Sequence, residues 1–218
     1  MSVLPVNHPA ATVYLIDDDP NDVLIIRRVC ESVGLNVESF RSPQMFLSQL
    51  NQNAAGCIVV DLMMPEMTGL ELNERLRSVN ANLPVVVLTG QADAATCRTA
   101  FQNGVFDYVE KSFNTHDLLV VIRSAIAKNA EQLGEQTRRE TFATKLESLS
   151  PREREVMELL ADGLTLKEVG VRFGISVQTA SKHRSKLFDK LEVNNEVELL
   201  KQLISVDPDQ AGIEPVAA

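Results

Sequence analysis

Five side chains in this 218-residue sequence could do chemistry together: the carboxylates of Asp17, Asp18 and Asp61, the hydroxyl of Thr89 and the ammonium of Lys111. Three carboxylates brought to one place repel one another unless a hard divalent cation joins them, and Mg2+ takes one or two carboxylates together with waters and phosphate oxygens. A Mg2+ site on these acids is therefore expected. Beside it, Asp61 could act as nucleophile toward a phosphoryl donor. Lys111 would neutralise charge on the equatorial oxygens of a loose transition state, and Thr89 would hydrogen-bond the product. Each residue also has an ordinary reading when taken singly. Asp-Asp-Asp-Pro caps helices more often than it binds metal, Thr89 could simply end a strand, and Lys111 could be a solvated charge.

The elements around them tie these residues together. An apolar, β-branched run at 12–16 stops at Asp17-Asp18-Asp19-Pro20, a helix start, and Val23, Leu24, Ile25, Ile26, Val29 and Val33 then recur at helical spacing until Gly34. A short strand near 37–40 follows. Strands at 57–61, 84–89 and 106–110 alternate with helices near 43–50, 69–79, 92–103 and 115–128, which makes five βα units. The strands at 57–61 and 84–89 are solidly apolar, as strands covered on both faces must be, so a doubly wound parallel α/β sheet is predicted. In such a sheet the loops at the carboxyl ends of the strands build the site, and Asp17-Asp18, Asp61, Thr89 and Lys111 stand at four of those ends.

Residues 129–144 are polar, free of proline and rich in helix formers, and are read as a helical linker closing a first domain at 11–128. Residues 145–205 show only helical periodicity, broken at Gly163 and Gly174, and are read as a second, smaller all-α domain of about four short helices. Residues 206–218, with two prolines and no periodicity, are read as a disordered tail.

A net charge of -9 argues against nucleic acid until it is divided along the chain. Basic and acidic side chains number nine against fourteen in residues 1–130, two against three in 131–144, ten against ten in 145–204, and none against three in 205–218. Only the third segment could approach DNA without repulsion. Cys30, Cys57 and Cys97 are odd in number and lack metal-site spacing, so buried free thiols are expected. No apolar run approaches the ~18 residues of a membrane span and no secretory leader is evident, which points to the cytoplasm and away from membranes.

Within the helical segment, Ser150-Pro151 followed by Glu153 marks a helix start, and a second helix over about 165–173 leads through Gly174-Ile175-Ser176 into a third near Val177. That is a helix-turn-helix. The third helix carries Lys182, His183, Arg184, Lys186 and Lys190 against one acid, Asp189, while Ala180, Leu187 and Leu191 form its buried stripe. In a major groove it would set Gln178, Ser181, Lys182 and Ser185 near base edges, with Ser176, Arg184 and Lys186 nearer phosphates. A charged helix can equally be only solvated, and His183 is given no catalytic role.

The segment Asp61-Leu62-Met63-Met64-Pro65-Glu66-Met67-Thr68-Gly69, with steps of 28 and 22 residues on to Thr89 and Lys111, resembles the phosphoacceptor motif of receiver domains. Leu149 to Glu155, Gly163-Leu164-Thr165 and the 177–191 helix resemble the output domain of LuxR and FixJ class regulators. The resemblance implies a two-component response regulator with a flavodoxin-like strand order 2-1-3-4-5, not an enzyme. Asp61 would take a phosphoryl group from a sensor histidine kinase. Asp17, Asp18, Asp61 and the backbone carbonyl of Met63 would hold Mg2+, and Tyr108 would be the switch partner of Thr89. Homodimerisation on activation and binding to promoter DNA follow from the same likeness.

Two departures stand out. Ser112 replaces the proline, often cis, that usually follows the receiver lysine, and a non-proline cis bond costs ~3 kcal/mol, which leaves the placement of Lys111 open. The family often has lysine at the position of Ser181, whereas here the charge falls one residue later at Lys182. Bulky Met63 and Gln91 near the pocket, with space at Gly90, suggest slow dephosphorylation. Two competing functions are a receiver whose helical domain binds a protein instead of DNA, and an aspartyl-phosphate phosphohydrolase. The second commonly needs a carboxylate where this chain has Met63.

Overall fold

Along the third strand, β3 (Gly56–Asp61), successive residues serve opposite faces of one sheet: Ile58 and Val60 enter one core, Cys57 and Val59 the other. Every residue of that strand is buried, as a central parallel strand covered by helices on both sides requires. The computed structural model describes residues 11–51, 54–79, 81–90 and 104–206. Its sheet comprises β1 (Thr12–Ile16), β2 (Asn36–Phe40), β3, β4 (Val85–Thr89) and β5 (Asp107–Glu110), all parallel, in the order β2-β1-β3-β4-β5. This is the doubly wound 2-1-3-4-5 arrangement expected. The helix expected at 92–103, Gln91 and Cys97 lie outside the described residues.

Helices α1 (Pro20–Ser32), α2 (Pro43–Gln49), α3 (Gly69–Ser78) and α4 (Thr115–Glu147) follow β1, β2, β3 and β5. Ile26 and Cys30 of α1, with Leu118, Ile122 and Ala125 of α4, cover one face, and Phe46, Leu72 and Leu76 of α2 and α3 cover the other. Cys30 and Cys57 are free thiols, and burial pushes them up to about 11 and about 12, so neither is a reactive thiolate near neutral pH.

Helix α4 is unbroken through 129–144, and the chain divides into two compact units, Met1–Leu133 and Gly134–Ala218. Asn129 fastens the first part of this helix. Its buried Oδ1 accepts from Gly56 N at 2.8 Å and its Nδ2 donates to Asn82 O at 2.7 Å. These bonds satisfy backbone groups at the amino-terminal edge of β3 and in the approach to β4.

In the second unit, α5 (Pro151–Ala161), α6 (Leu166–Phe173), α7 (Val177–Leu191) and α8 (Glu196–Val206) enclose Val156, Leu160, Val169, Ala180, Leu187, Phe188, Leu191 and Leu199, joined by Phe142 of α4. The turn between α6 and α7 depends on Gly174, whose φ of 64° closes α6 in the left-handed region. Ser150 and Glu153 form a reciprocal cap at the start of α5, and Glu153 Oε2 also accepts from Lys190 Nζ at 2.6 Å. The bond from Lys190 and that from Ser150 N–H outweigh the opposing effect of burial and hold the Glu153 carboxyl down to about 2.

Two outcomes are expected. Asn129→Ala leaves Gly56 N–H buried without its partner and destabilises the chain by about 2 kcal/mol in denaturant unfolding. The carboxyl of Glu153 titrates lower folded than unfolded, so its contribution is complete above its ordinary 4.5 and is lost as pH falls toward about 2. Glu153→Gln is therefore destabilising near neutrality, and the gap from wild type, read as midpoint denaturant concentration, narrows as pH drops from about 6 to about 3.

Candidate functional site

The strand ends deliver the acidic residues as the topology requires. β1 stops at Ile16, and Asp17 turns the chain toward α1, its Oδ1 accepting from Asp19 N at 2.9 Å. The helix cap in Asp-Asp-Asp-Pro is Asp19, which accepts from Asn21 N at 2.8 Å ahead of Pro20. Asp17 and Asp18 are thus left to a different role. Asp61 closes β3, and the chain loops back through Glu66, at a positive φ of 69°, to the Thr68 cap of α3. Gly69 passes so close beneath that loop that a Cβ on it would lie 2.7 Å from Asp61 O, which only glycine accommodates.

Carboxylate oxygens of Asp17, Asp18 and Asp61 lie within 4.8 Å of one another. Asp17 and Asp61 are buried and Asp18 is exposed. Burial raises the Asp17 carboxyl above its ordinary value, against the hydrogen bonds from Asp19 N–H and Lys111 that lower it. A buried acid of this kind gains from a nearby cation, and the donor set is hard oxygen throughout, so these residues fit a Mg2+ ion.

Lys111 enters the same pocket. Its N–H donates to Thr89 O at 2.6 Å, which continues the β4–β5 register of Thr89 opposite Glu110. Its Nζ lies 3.0 Å from Asp17 Oδ2, 3.0 Å from Asp61 Oδ1 and 2.6 Å from Asp22 Oδ2. With Ser112 next in the chain, and no cis peptide among the described residues, the ammonium still reaches Asp61. Burial works to lower the Lys111 pKa, yet the hydrogen bonds it donates to Asp22, Asp17 and Asp61 outweigh it and hold the ammonium above its ordinary value. Thr89 is buried beside it. Tyr108 is half-buried against the Phe46 and Val60 core, its Oη enclosed without a hydrogen-bond partner among the described residues. The Met63 side chain is 72% exposed. Sequence reasoning missed Asp22, whose only signal was its place in the first turn of α1, four residues after Asp18.

On the second unit, α7 buries Ala180, Leu187, Phe188 and Leu191 and exposes Gln178, Ser181, Lys182, Ser185 and Lys186. Ser176 is the N-cap, its hydroxyl accepting from Thr179 N at 3.2 Å. Arg184, expected nearer phosphates, is partly buried and has partners within the unit. Its Nε lies 2.6 Å from Glu196 Oε1, its Nη2 3.0 Å from Glu196 Oε2, and the guanidinium sits 4.1 Å above the Phe188 ring. Among the described residues, neither Lys182 nor Lys186 makes an ion pair.

Comparison with known proteins agrees with this anatomy. Residues 13–123 match the response regulator receiver domain, and residues 147–202 match the bacterial regulatory proteins of the LuxR family. This chain belongs to the response regulator family. The regulator is 32% identical over 203 residues to the transcriptional regulatory protein FixJ of Azorhizobium caulinodans, covering 93% of this chain and 94% of that one. It is 30% identical over 192 residues to the response regulator TodT of Pseudomonas putida, covering 88% and 85%. The solved structure of the response regulator StyR superposes with a TM-score of 0.77 at 29% identity, over 89% of this chain and 98% of that one. The regulator thus joins a receiver domain to a LuxR-type DNA-binding domain, as transcriptional regulators of this family do. No helix among the described residues is long and apolar enough to cross a membrane.

The two kinds of cation on α7 are expected to behave differently. Lys186→Ala weakens duplex binding and lowers the slope of log affinity against log salt by about 1. Arg184→Ala leaves that slope in place and instead lowers the melting temperature, because it strips Glu196 and Phe188 of their partner. Salt-series binding isotherms and thermal unfolding distinguish the two.

Proposed function

We propose that Asp61 accepts a phosphoryl group from a sensor histidine kinase in the cytoplasm, and that the modification controls dimerisation and promoter binding. The observation that carries this reading is the Lys111 ammonium 3.0 Å from Asp61 Oδ1, at the carboxyl ends of β5 and β3. A carboxylate there has a fixed cation beside it on which charge can settle as phosphorus is transferred. Asp61 forms the new O–P bond while the donor's bond to phosphorus breaks and the leaving group carries off the electron pair. Asp17, Asp18, Asp61 and the Met63 carbonyl would hold Mg2+, which supplies charge neutralisation at the phosphoryl oxygens. Lys111 orients and neutralises, and Thr89, buried at the end of β4, is the hydroxyl that turns toward the product.

The modification adds about -1.5 to -2 charges at Asp61. Drawing Thr89 inward would open space that Tyr108 fills, and the surface around β5 and the start of α4 would become a dimer face. Two copies of α7 would then meet half-sites about one helical turn apart. Gln178, Ser181, Lys182 and Ser185 are exposed on the face that would read bases, with Lys186 beside them for phosphate and the capping Ser176 at the helix entry.

The test is selection from a random duplex library, with wild type and Asp61→Asn compared in Mg2+ and acetyl phosphate. Wild type is expected to select a two-fold symmetric site and to bind it at least about ten-fold more tightly with phosphodonor, with no gain for Asp61→Asn. If neither protein selects a duplex, the output domain addresses a protein instead of DNA.

A further inference from the structure

An ammonium has three N–H donors, and Lys111 meets three carboxylates: Asp17 Oδ2 and Asp61 Oδ1 at 3.0 Å, and Asp22 Oδ2 at 2.6 Å. Phosphorylation turns the Asp61 carboxylate into an acyl phosphate, so the N–H that Asp61 Oδ1 holds passes to the phosphoryl group, while Asp17 and Asp22 keep the other two. A doubly charged phosphoryl group gains a second N–H only if one of those two is released. The Asp17 side chain is 0% exposed, so a bond given up there leaves a buried carboxylate without compensation. The Asp22 side chain is 32% exposed and can be solvated by water when the ammonium leaves. Asp22 also stands apart from the carboxylates that converge for a metal.

We propose that Asp22 is a positioning residue that competes with a phosphoryl group on Asp61 for Lys111, and so sets how readily the receiver takes its phosphorylated form. The inference rests on Asp61 as phosphoacceptor. Asp22 stabilises the arrangement before phosphorylation by an ion pair that opposes the transfer of a second N–H to the phosphoryl group, and removing its charge lowers that cost. Its backbone role is small, because the cap of α1 is Asp19 and Asp22 lies in the first turn, where Asn is also tolerated.

The test is binding of beryllofluoride, a phosphoryl mimic, to the full chain at saturating Mg2+, read by titration calorimetry and by 19F resonance of the bound group. Asp22→Asn is expected to bind roughly two- to five-fold more tightly than wild type, the range for a partly exposed ion pair. Asp22→Glu, which restores the charge, is expected to return to within about two-fold of wild type. Equal or weaker binding by Asp22→Asn overturns the proposal. So does a gain by Asp22→Glu as large as that of Asp22→Asn, since charge would then not be the cause. If wild type itself takes up no beryllofluoride, the reading of Asp61 as phosphoacceptor fails and Asp22 loses its role with it. Uptake by wild type with no difference in Asp22→Asn sinks the role of Asp22 alone.

Discussion

The structure of the first unit depends on one electrostatic constraint: carboxylates placed at the buried ends of β1 and β3 must be compensated, and Lys111 at the end of β5 compensates them. Removing a carboxylate from water costs several kcal/mol even after relaxation, and the cost is recovered only with good geometry to a counter-charge. Here the geometry comes from the sheet. The registers Asp61 opposite Leu88 and Thr89 opposite Glu110 fix two strand ends against each other, and the backbone bond from Lys111 to Thr89 fixes the third. Side chains alternate along a strand, so a slip of one residue in either pairing would turn an acid or the ammonium to the wrong face. Strand order, the two apolar cores and the tether at Asn129 all hold that register.

The same economy of charge governs the helical unit, with the opposite result. Residues 145–204 carry ten basic and ten acidic side chains, yet the balance hides a division of labour. Lys145 pairs with Glu192, Arg152 with Glu155, Arg184 with Glu196 and Lys190 with Glu153. Arg152–Glu155 lies within α5, and the other three tie α7 and its C-cap to neighbouring elements. Lys182 and Lys186 keep their charge on the exposed face of α7. A count of charges along α7 overstates its positive surface, since two of its cations belong to the scaffold.

Much of this was legible in the residues. Solid apolar runs gave buried parallel strands, Gly174 and the Ser150-Pro151 start gave the helix boundaries, and the acids and Lys111 at strand ends gave the pocket. The contacts that could not be read are those joining residues far apart in sequence with no periodic signature. Lys111 meets Asp22 across 89 positions, and Lys190 meets Glu153 across 37. Arg184 was assigned to phosphates because its charge was visible and its partner was not. Glu196 lies 12 residues on, beyond the turn into α8, where helical spacing says nothing about which side chains meet. Asp-Asp-Asp-Pro was ambiguous for a different reason. Asp19 caps α1, while Asp17 and Asp18 converge with Asp61, so the run has room for both readings.

Asp17, Asp22 and Asp61 meet one ammonium and Asp18 lies beside Asp17 and Asp61, so the pocket holds a surplus of negative charge when all are ionised. A divalent cation offsets most of that surplus, and a phosphoryl group restores part of it. The pocket is therefore balanced near neutrality only in the company of a cation, and each change of occupancy shifts the competition for Lys111. The raised Asp17 carboxyl expresses the same strain, since burial there works against the charged form. What distinguishes Asp22 is that it shares in this competition while partly facing water. It can give up the ammonium at a cost set by solvation, where Asp17 can give it up only at a cost set by burial.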